Sequence, residues 1–233
     1  MMAVPFTTEQ FLNVFKLYNT AVWPLQLFLY GSAFLAIFLS LKKNPAADKI
    51  ISFILAFFWL WMGAVYHLIY FSAINKAAYL FGLAFIIQGQ IFLYTGILKN
   101  LLSFKFQANI YGITGSILIT YALIVYPVLS YFTGHIYPAT PTFGLPCPTT
   151  IFTFGILLFA DKRIPLTVLA IPLLWSFIGF TAALKLGISE DTGLLIAGLI
   201  STVLIAGKNK ILKDTKKISQ KTSREALKNT YHG

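Results

Sequence analysis

Apolar runs of nearly 20 residues, separated by short connectors that hold most of the charge, constrain this chain more than any motif in it. A helix needs about 20 apolar residues to cross a hydrocarbon core of ~30 Å. Soluble domains of comparable size carry about 25% charged residues. Here 11% are charged and 58% hydrophobic, and mean hydropathy is +0.77 over 233 residues. The pattern predicts an all-α membrane protein. Seven spans are expected, from about Val22 to Leu41, Ile50 to Phe71, Ala77 to Leu98, Asn109 to Phe132, Cys147 to Ala160, Ile164 to Leu184 and Asp191 to Gly207. Residues 1–207 read as one polytopic domain and residues 208–233 as a basic tail. No internal repeat is evident.

The basic residues orient the bundle. With the amino terminus outside, the inner connectors and tail hold fifteen lysines and arginines, and the outer connectors hold Lys16, Lys76 and Lys185. That asymmetry follows the positive-inside rule only with an odd number of spans. The tail from Lys208 carries eight bases against Asp214 and Glu225, a net +6 of the chain's +11. No aromatic residue interleaves with those bases before Tyr231, so anionic inner-leaflet lipid, rather than nucleic acid, is the expected partner. The single cysteine excludes an internal disulfide.

Residues 1–21 lack the basic start and small-residue cleavage site of a signal peptide. Thr7 and Gln10 form a capping-box pattern. Phe11, Val14, Phe15 and Tyr18 then recur at helical spacing, as in an amphipathic helix lying in the interface.

The stretch from Thr133 to Gly155 breaks the apolar regularity. It contains Pro138, Pro141, Pro146 and Pro148, with His135 and Cys147 and no permanent charge. The fifth span is therefore short. Pro148 suits a first helical position, which would make Cys147 the cap of a helix that starts below the outer surface. A Pro-rich re-entrant segment must supply the remaining depth. Non-helical backbone at that depth needs protein or a water-filled cavity around it. Broken spans of this kind mark binding sites in transporters.

Several groups converge on that outer third. His67 lies inside span two, and an ionisable residue within a span is a functional candidate. Tyr66 is beside it, and His135 and Tyr137 lie in the outer loop. The free amides of Thr149 and Thr150 suit an anion, and Cys147 at a helix start suits a thiolate or a soft metal. Glu190 and Asp191 open span seven. One outward pocket lined by these residues is the expected site, with His67 and Cys147 as candidate metal ligands. The bland readings are a buried apolar cysteine, an interfacial histidine and dipole-capping acids. Gln88 and Gln90 read as interhelical glue, and Tyr94, Tyr121, Tyr126 and Trp175 as packing residues. No acid or base lies mid-span, which argues against proton relays, and span seven has no lysine for a retinal Schiff base.

The blocks PFTTEQFLNVF, WLWMGAVYH with INKAAYLFG, YPATPTFGLPCPTTIFTFG, and PLLWSFIG with EDTGLL resemble those of a family of uncharacterised bacterial multi-pass membrane proteins, defined as a domain of unknown function. The resemblance covers nearly everything before the tail. It implies a bacterial inner membrane and implies no activity, catalytic residue or cofactor. The residues leave three functions open. The chain binds or transports a small solute or ion, is a thiol- or metal-dependent membrane enzyme, or is a structural or regulatory partner protein.

Overall fold

The computed structural model describes residues 5–231, with side chains through residue 220 except that of Ser189. The described chain is all-helical, apart from isolated backbone bridges between Phe104 and Ala160 and between Phe143 and Leu145. Helix α1 is Thr8–Val22 and α2 is Leu25–Ser40. Helix α3 is Pro45–Ala73, α4 Ala78–Leu98 and α5 Ile110–Phe132. Helix α6 is Pro146–Leu158, α7 Thr167–Leu186 and α8 Thr192–Tyr231.

Each of the seven apolar segments read from the sequence contains a helix. Five of them, α3, α4, α5, α7 and α8, are long and apolar enough to cross a membrane. The other two fall short. Helix α2 has 16 residues and meets α1 at a bend of 87°. The bend falls at Trp23 and Pro24, where the proline cannot donate an N–H to a continuing helix. Helix α6 has 13 residues, about 20 Å at helical rise.

Helix α6 survives because the others surround it. Every residue from Pro146 to Leu158 except Cys147 is buried, and α5, α7 and α8 pack against it. Glycine permits the closest of these approaches. A Cβ on Gly115 of α5 would lie 2.7 Å from the Gly155 carbonyl oxygen of α6. A second glycine crossing, Gly63 with Gly82, joins α3 to α4, where a Cβ on Gly63 would be 2.8 Å from the Gly82 oxygen. Small residues bring membrane helices within dispersion range of each other's backbones.

The helices are locally widened in three places, at Met62–Tyr70, Leu93–Leu98 and Tyr121–Val125. The last has an evident cause. Pro127 follows it and lacks the N–H that a regular turn requires. The Tyr126 N–H reaches back to the Tyr121 carbonyl, one residue further than in a regular turn.

Side chains tie down irregular backbone at both ends of the bundle. At one end lie the connectors after α2, α4 and α6. Phe106 N–H donates to the Ser40 carbonyl (2.8 Å), Lys105 N–H to Phe159 (2.9 Å) and Asp161 N–H to Ser103 (3.0 Å). Asp48 accepts the Phe104 N–H at 2.7 Å. Asn209 holds both backbone groups of Ile164, at 2.9 and 2.8 Å. Lys43 pairs with Asp161, and the Lys208 ammonium donates to the Ala160 carbonyl. Most of the basic connector residues lie here. Helix α8 continues through the described part of the tail to Tyr231.

At the other end, α1 and the 133–145 segment close the bundle. The Asn19 amide donates to the Pro138 and Thr140 carbonyls, both at 2.7 Å. Its oxygen accepts from Gln26 (2.7 Å) and Thr142 (2.8 Å). The Tyr18 hydroxyl donates to the Gly144 carbonyl at 3.0 Å and accepts the Trp61 indole N–H at 2.8 Å. Gly144 has a φ of +98°, in the left-handed region that favours glycine. The expected capping box at Thr7 and Gln10 forms and starts α1.

Candidate functional site

The turn into α6 sets the site. Its first helical residue is Pro146, after extended Leu145, and not Pro148. Cys147 is therefore a residue of the first turn and not the cap expected for it. The physical reason is tertiary. The Thr149 hydroxyl accepts the Gly144 N–H at 3.0 Å and fixes the chain two residues before the expected start. The Thr149 N–H is already engaged by the Leu145 carbonyl at 3.3 Å.

Cys147 opens onto a cavity of about 760 Å³ between α1, α3, α4, α6 and α7. Its walls are largely aromatic, with Phe11, Phe15, Tyr66, Phe71, Phe81 and Trp175 contributing. Tyr66 stacks on Phe71 with ring centroids 5.7 Å apart, and Phe11 meets Phe71 edge-on at 5.7 Å. Polar groups are few. The floor has Cys147, Asp191 and Tyr126, and the lining also includes Asn75, Thr181 and Lys185. Leu80, Thr181 and Lys185 are exposed, which places the mouth between the start of α4 and the end of α7.

The floor is drawn together from three helices. The Tyr126 hydroxyl donates to the Asp191 carboxylate. The Cys147 thiol is within hydrogen-bonding reach of the same carboxylate. Gly179 of α7 packs beside them, where a Cβ would lie 2.7 Å from Leu194 Cδ2 and in ordinary contact with the Cys147 sulfur at 3.5 Å and Trp175 Nε1 at 3.7 Å. Trp175 Nε1 is buried without a well-formed hydrogen bond.

Of the residues singled out in the sequence, the structure brings Tyr66, Cys147 and Asp191 to the cavity lining. His67 lies one layer behind. Its ring packs against Phe85 (4.6 Å), Tyr66 (5.1 Å) and Trp175 (5.1 Å), it is fully buried, and neither ring nitrogen has a partner. Trp175 therefore stands between His67 and the floor. His135 Nδ1 meets Glu190 Oε1 at 3.0 Å, and Glu190 Oε2 is buried without a partner. The Glu190 carbonyl accepts from Tyr121 at 2.7 Å. Tyr137 is half exposed, with its hydroxyl 3.4 Å from the Asn19 carbonyl. Thr149 and Thr150 are buried inside the bundle, and the Thr150 hydroxyl has no partner. No group of three or more metal-ligating side chains occurs among the described residues.

Two lining residues were read from the sequence as packing, namely Tyr126 on the floor and Trp175 in the wall. Each lies near a proline in its helix, Pro127 and Pro172, and Pro127 follows the widened turn that presents Tyr126.

Residues 8–216 match the model of a family of unknown function, DUF6064. The chain belongs to this family. No curated protein and no solved structure matches it. The family's extent takes in every element that lines the cavity from α1 to α8, and it carries no assigned activity.

Proposed function

We propose that this DUF6064 protein is a multi-pass membrane protein that binds, and in the fullest form of the reading transports, a small solute with an apolar body through the cavity above α6. The observation that carries the reading is the cavity itself. About 760 Å³ lies within the range of small-molecule sites, roughly 300–1,000 Å³, and its aromatic walls with a few convergent polar groups match their usual make-up. A bare hydrated ion gains little from such walls.

The membrane frame of the proposal has seven crossings, α2 to α8, with α1 in the outer interface and the carboxyl terminus inside. The fifteen-to-three distribution of bases supports it, and so does the gathering of most connector bases at one end. Helix α6 completes its crossing through the 133–145 segment. The site then faces outward, the tail follows anionic inner-leaflet lipid, and a bacterial inner membrane is the location. In a Cys147→Ala background, single cysteines near Lys76 and Lys185 should label from outside and those near Lys43 and Lys105 should not. The reverse pattern overturns the orientation.

Binding is tested in nanodiscs with the neutral dye N-phenyl-1-naphthylamine, whose emission rises in apolar surroundings. Ala182 lines the cavity and is only partly buried, so Ala182→Trp fills the space from the mouth side. The expected result is saturable dye binding by the wild type, lost in the variant at unchanged helix content. Equal dye uptake by both, or none above empty nanodiscs, removes the reading.

The thiol-enzyme reading retains one observation, the nearness of Cys147 to the Asp191 carboxylate. It requires the sulfur to react from the cavity. Alkylation by N-ethylmaleimide that Asp191→Asn suppresses would support it, and an inert thiol would remove it.

A further inference from the structure

The cavity has a chemical polarity that narrows its ligand. The cavity lining holds one carboxylate among the described residues, Asp191, whose hydrogen-bond donor is the neutral Tyr126 hydroxyl, with the Cys147 thiol in the same lining. Asp191 is 5% exposed. The adjacent Glu190, 1% exposed, leaves Oε2 unpaired and adds a second acid to the same end of the bundle. Above the floor, the walls present aromatic rings. A buried carboxylate is stable when it is paired, and rings attract cations to their faces. We propose that the cavity takes a lipophilic monocation, an ammonium group on an apolar body, with the charge seated between Asp191 and the Trp175 and Tyr66 rings. This rests on the binding reading above and names its substrate class.

The geometry favours a cation over an anion at each level. An anion on the floor would face Asp191 at close range in a water-poor site, where like charges repel strongly. The one base in the lining, Lys185, sits at the exposed mouth, where water and salt screen it. A neutral body alone would use the walls but leave Asp191 with neutral partners. Trp175 lines the cavity with Tyr66, and its indole nitrogen, which lacks a well-formed hydrogen bond, lies on the side of the ring near the Cys147 sulfur. His67 stays outside the site as the ring that backs Trp175 at 5.1 Å.

The test is a charge series on the full chain in zwitterionic nanodiscs, with empty nanodiscs subtracted. Benzyl(dimethyl)octylammonium is compared with its neutral isostere, in which carbon replaces nitrogen, and with the anion octylbenzenesulfonate. Each competes with N-phenyl-1-naphthylamine. The expected order is cation first, by about 10-fold over the isostere, with the anion weakest. Asp191→Asn should weaken the cation by about 30-fold and leave the isostere within about 3-fold. Trp175→Leu should weaken the cation further than Trp175→Phe does, since phenylalanine keeps a ring. Melting curves verify that each variant folds, and the wild-type series needs no variant. If the isostere competes as well as the cation, or Asp191→Asn leaves the cation's affinity intact, the cation assignment is overturned while the cavity still binds. If no member of the series and no dye binds, the binding reading falls with it.

Discussion

The two ends of the bundle use the same device to opposite effect. At the basic end, side chains satisfy backbone groups across the connectors. Asp48 takes the Phe104 N–H, Asn209 takes both groups of Ile164, and Lys208 takes the Ala160 carbonyl. At the opposite end, Asn19 and Tyr18 also tie down irregular backbone, but they do so around a space. The segment of residues 138–145 is held back against α1 and α2, and the cavity forms beneath it. Polar groups without well-formed partners occur on this side in His67, Trp175 and Glu190, and at the basic end in Ser103 and Asp161. Backbone satisfaction is therefore needed at both ends, because neither lipid nor a packed core supplies hydrogen bonds. Only one end uses it to keep a volume open.

The largest expected effect comes from breaking the clamp at the cavity end. Asn19→Leu leaves the Pro138 and Thr140 carbonyls without their amide donor, while the Gln26 amide and Thr142 hydroxyl keep each other at 3.0 Å. At about 1–3 kcal/mol for each of the two carbonyls left unsatisfied, the loss should reach roughly 2–6 kcal/mol and abolish dye binding as well. Thermal unfolding in detergent measures the first and dye titration the second. A variant that melts normally but no longer binds would show that the clamp shapes the cavity without supporting the fold.

The matching change at the basic end should be smaller and should spare the cavity. Asp48→Ala orphans one buried donor, the Phe104 N–H, and should cost about 1–3 kcal/mol with dye affinity unchanged. If binding falls in step with stability, the two ends are not independent and the comparison fails.

A third change should run the other way. Both nitrogens of His67 are buried without partners among Tyr66, Phe85 and Trp175. His67→Phe keeps an aromatic ring and removes two unsatisfied polar atoms, so stability should stay level or rise by about 1 kcal/mol. A loss of more than about 2 kcal/mol would mean that the imidazole holds a water or another group inside the bundle.

These contrasts also explain which parts of the structure were legible in the sequence. Hydropathy marked all seven apolar helices, and the connector charges marked the basic end, because both are read along the chain. The shortened α6 was legible from its prolines. Its start was misplaced by two residues because Pro146 and Pro148 both satisfy a first-position rule, and the choice lies with the Gly144 to Thr149 hydrogen bond. The cavity's polar floor was partly legible, in Cys147 and Asp191. Its aromatic walls were not, since Phe11, Phe71, Phe81 and Trp175 come from different segments. In an aromatic-rich chain, no local pattern separates a ring facing a cavity from one facing lipid.

The smallest effect belongs to the ion pair that links the connectors after α2 and α6. The Lys43 side chain is 51% exposed and that of Asp161 10% exposed. Burial pushes the Asp161 carboxyl upward, but the hydrogen bond and charge of Lys43 outweigh it and hold the group below its ordinary value of 3.8. The Asp161 hydrogen bond and charge in turn raise Lys43 above its ordinary 10.5. The depressed acid contributes stability above its unfolded value, and that contribution is lost as pH falls through the lower folded value. The raised base contributes below 10.5, and its contribution is lost as pH rises through the higher folded value. The pair is therefore fully effective between those limits. With Lys43 half in water, its worth should be only about 0.2–1 kcal/mol and should shrink with salt. Lys43→Met should lower the melting temperature slightly at pH 7 and low salt, and that difference should fade as acid protonates Asp161. A variant that melts far below the wild type would mean that Asp161, deprived of its lysine, is trapped as an unpaired charge. The basic end would then be held by electrostatics rather than by its backbone ties.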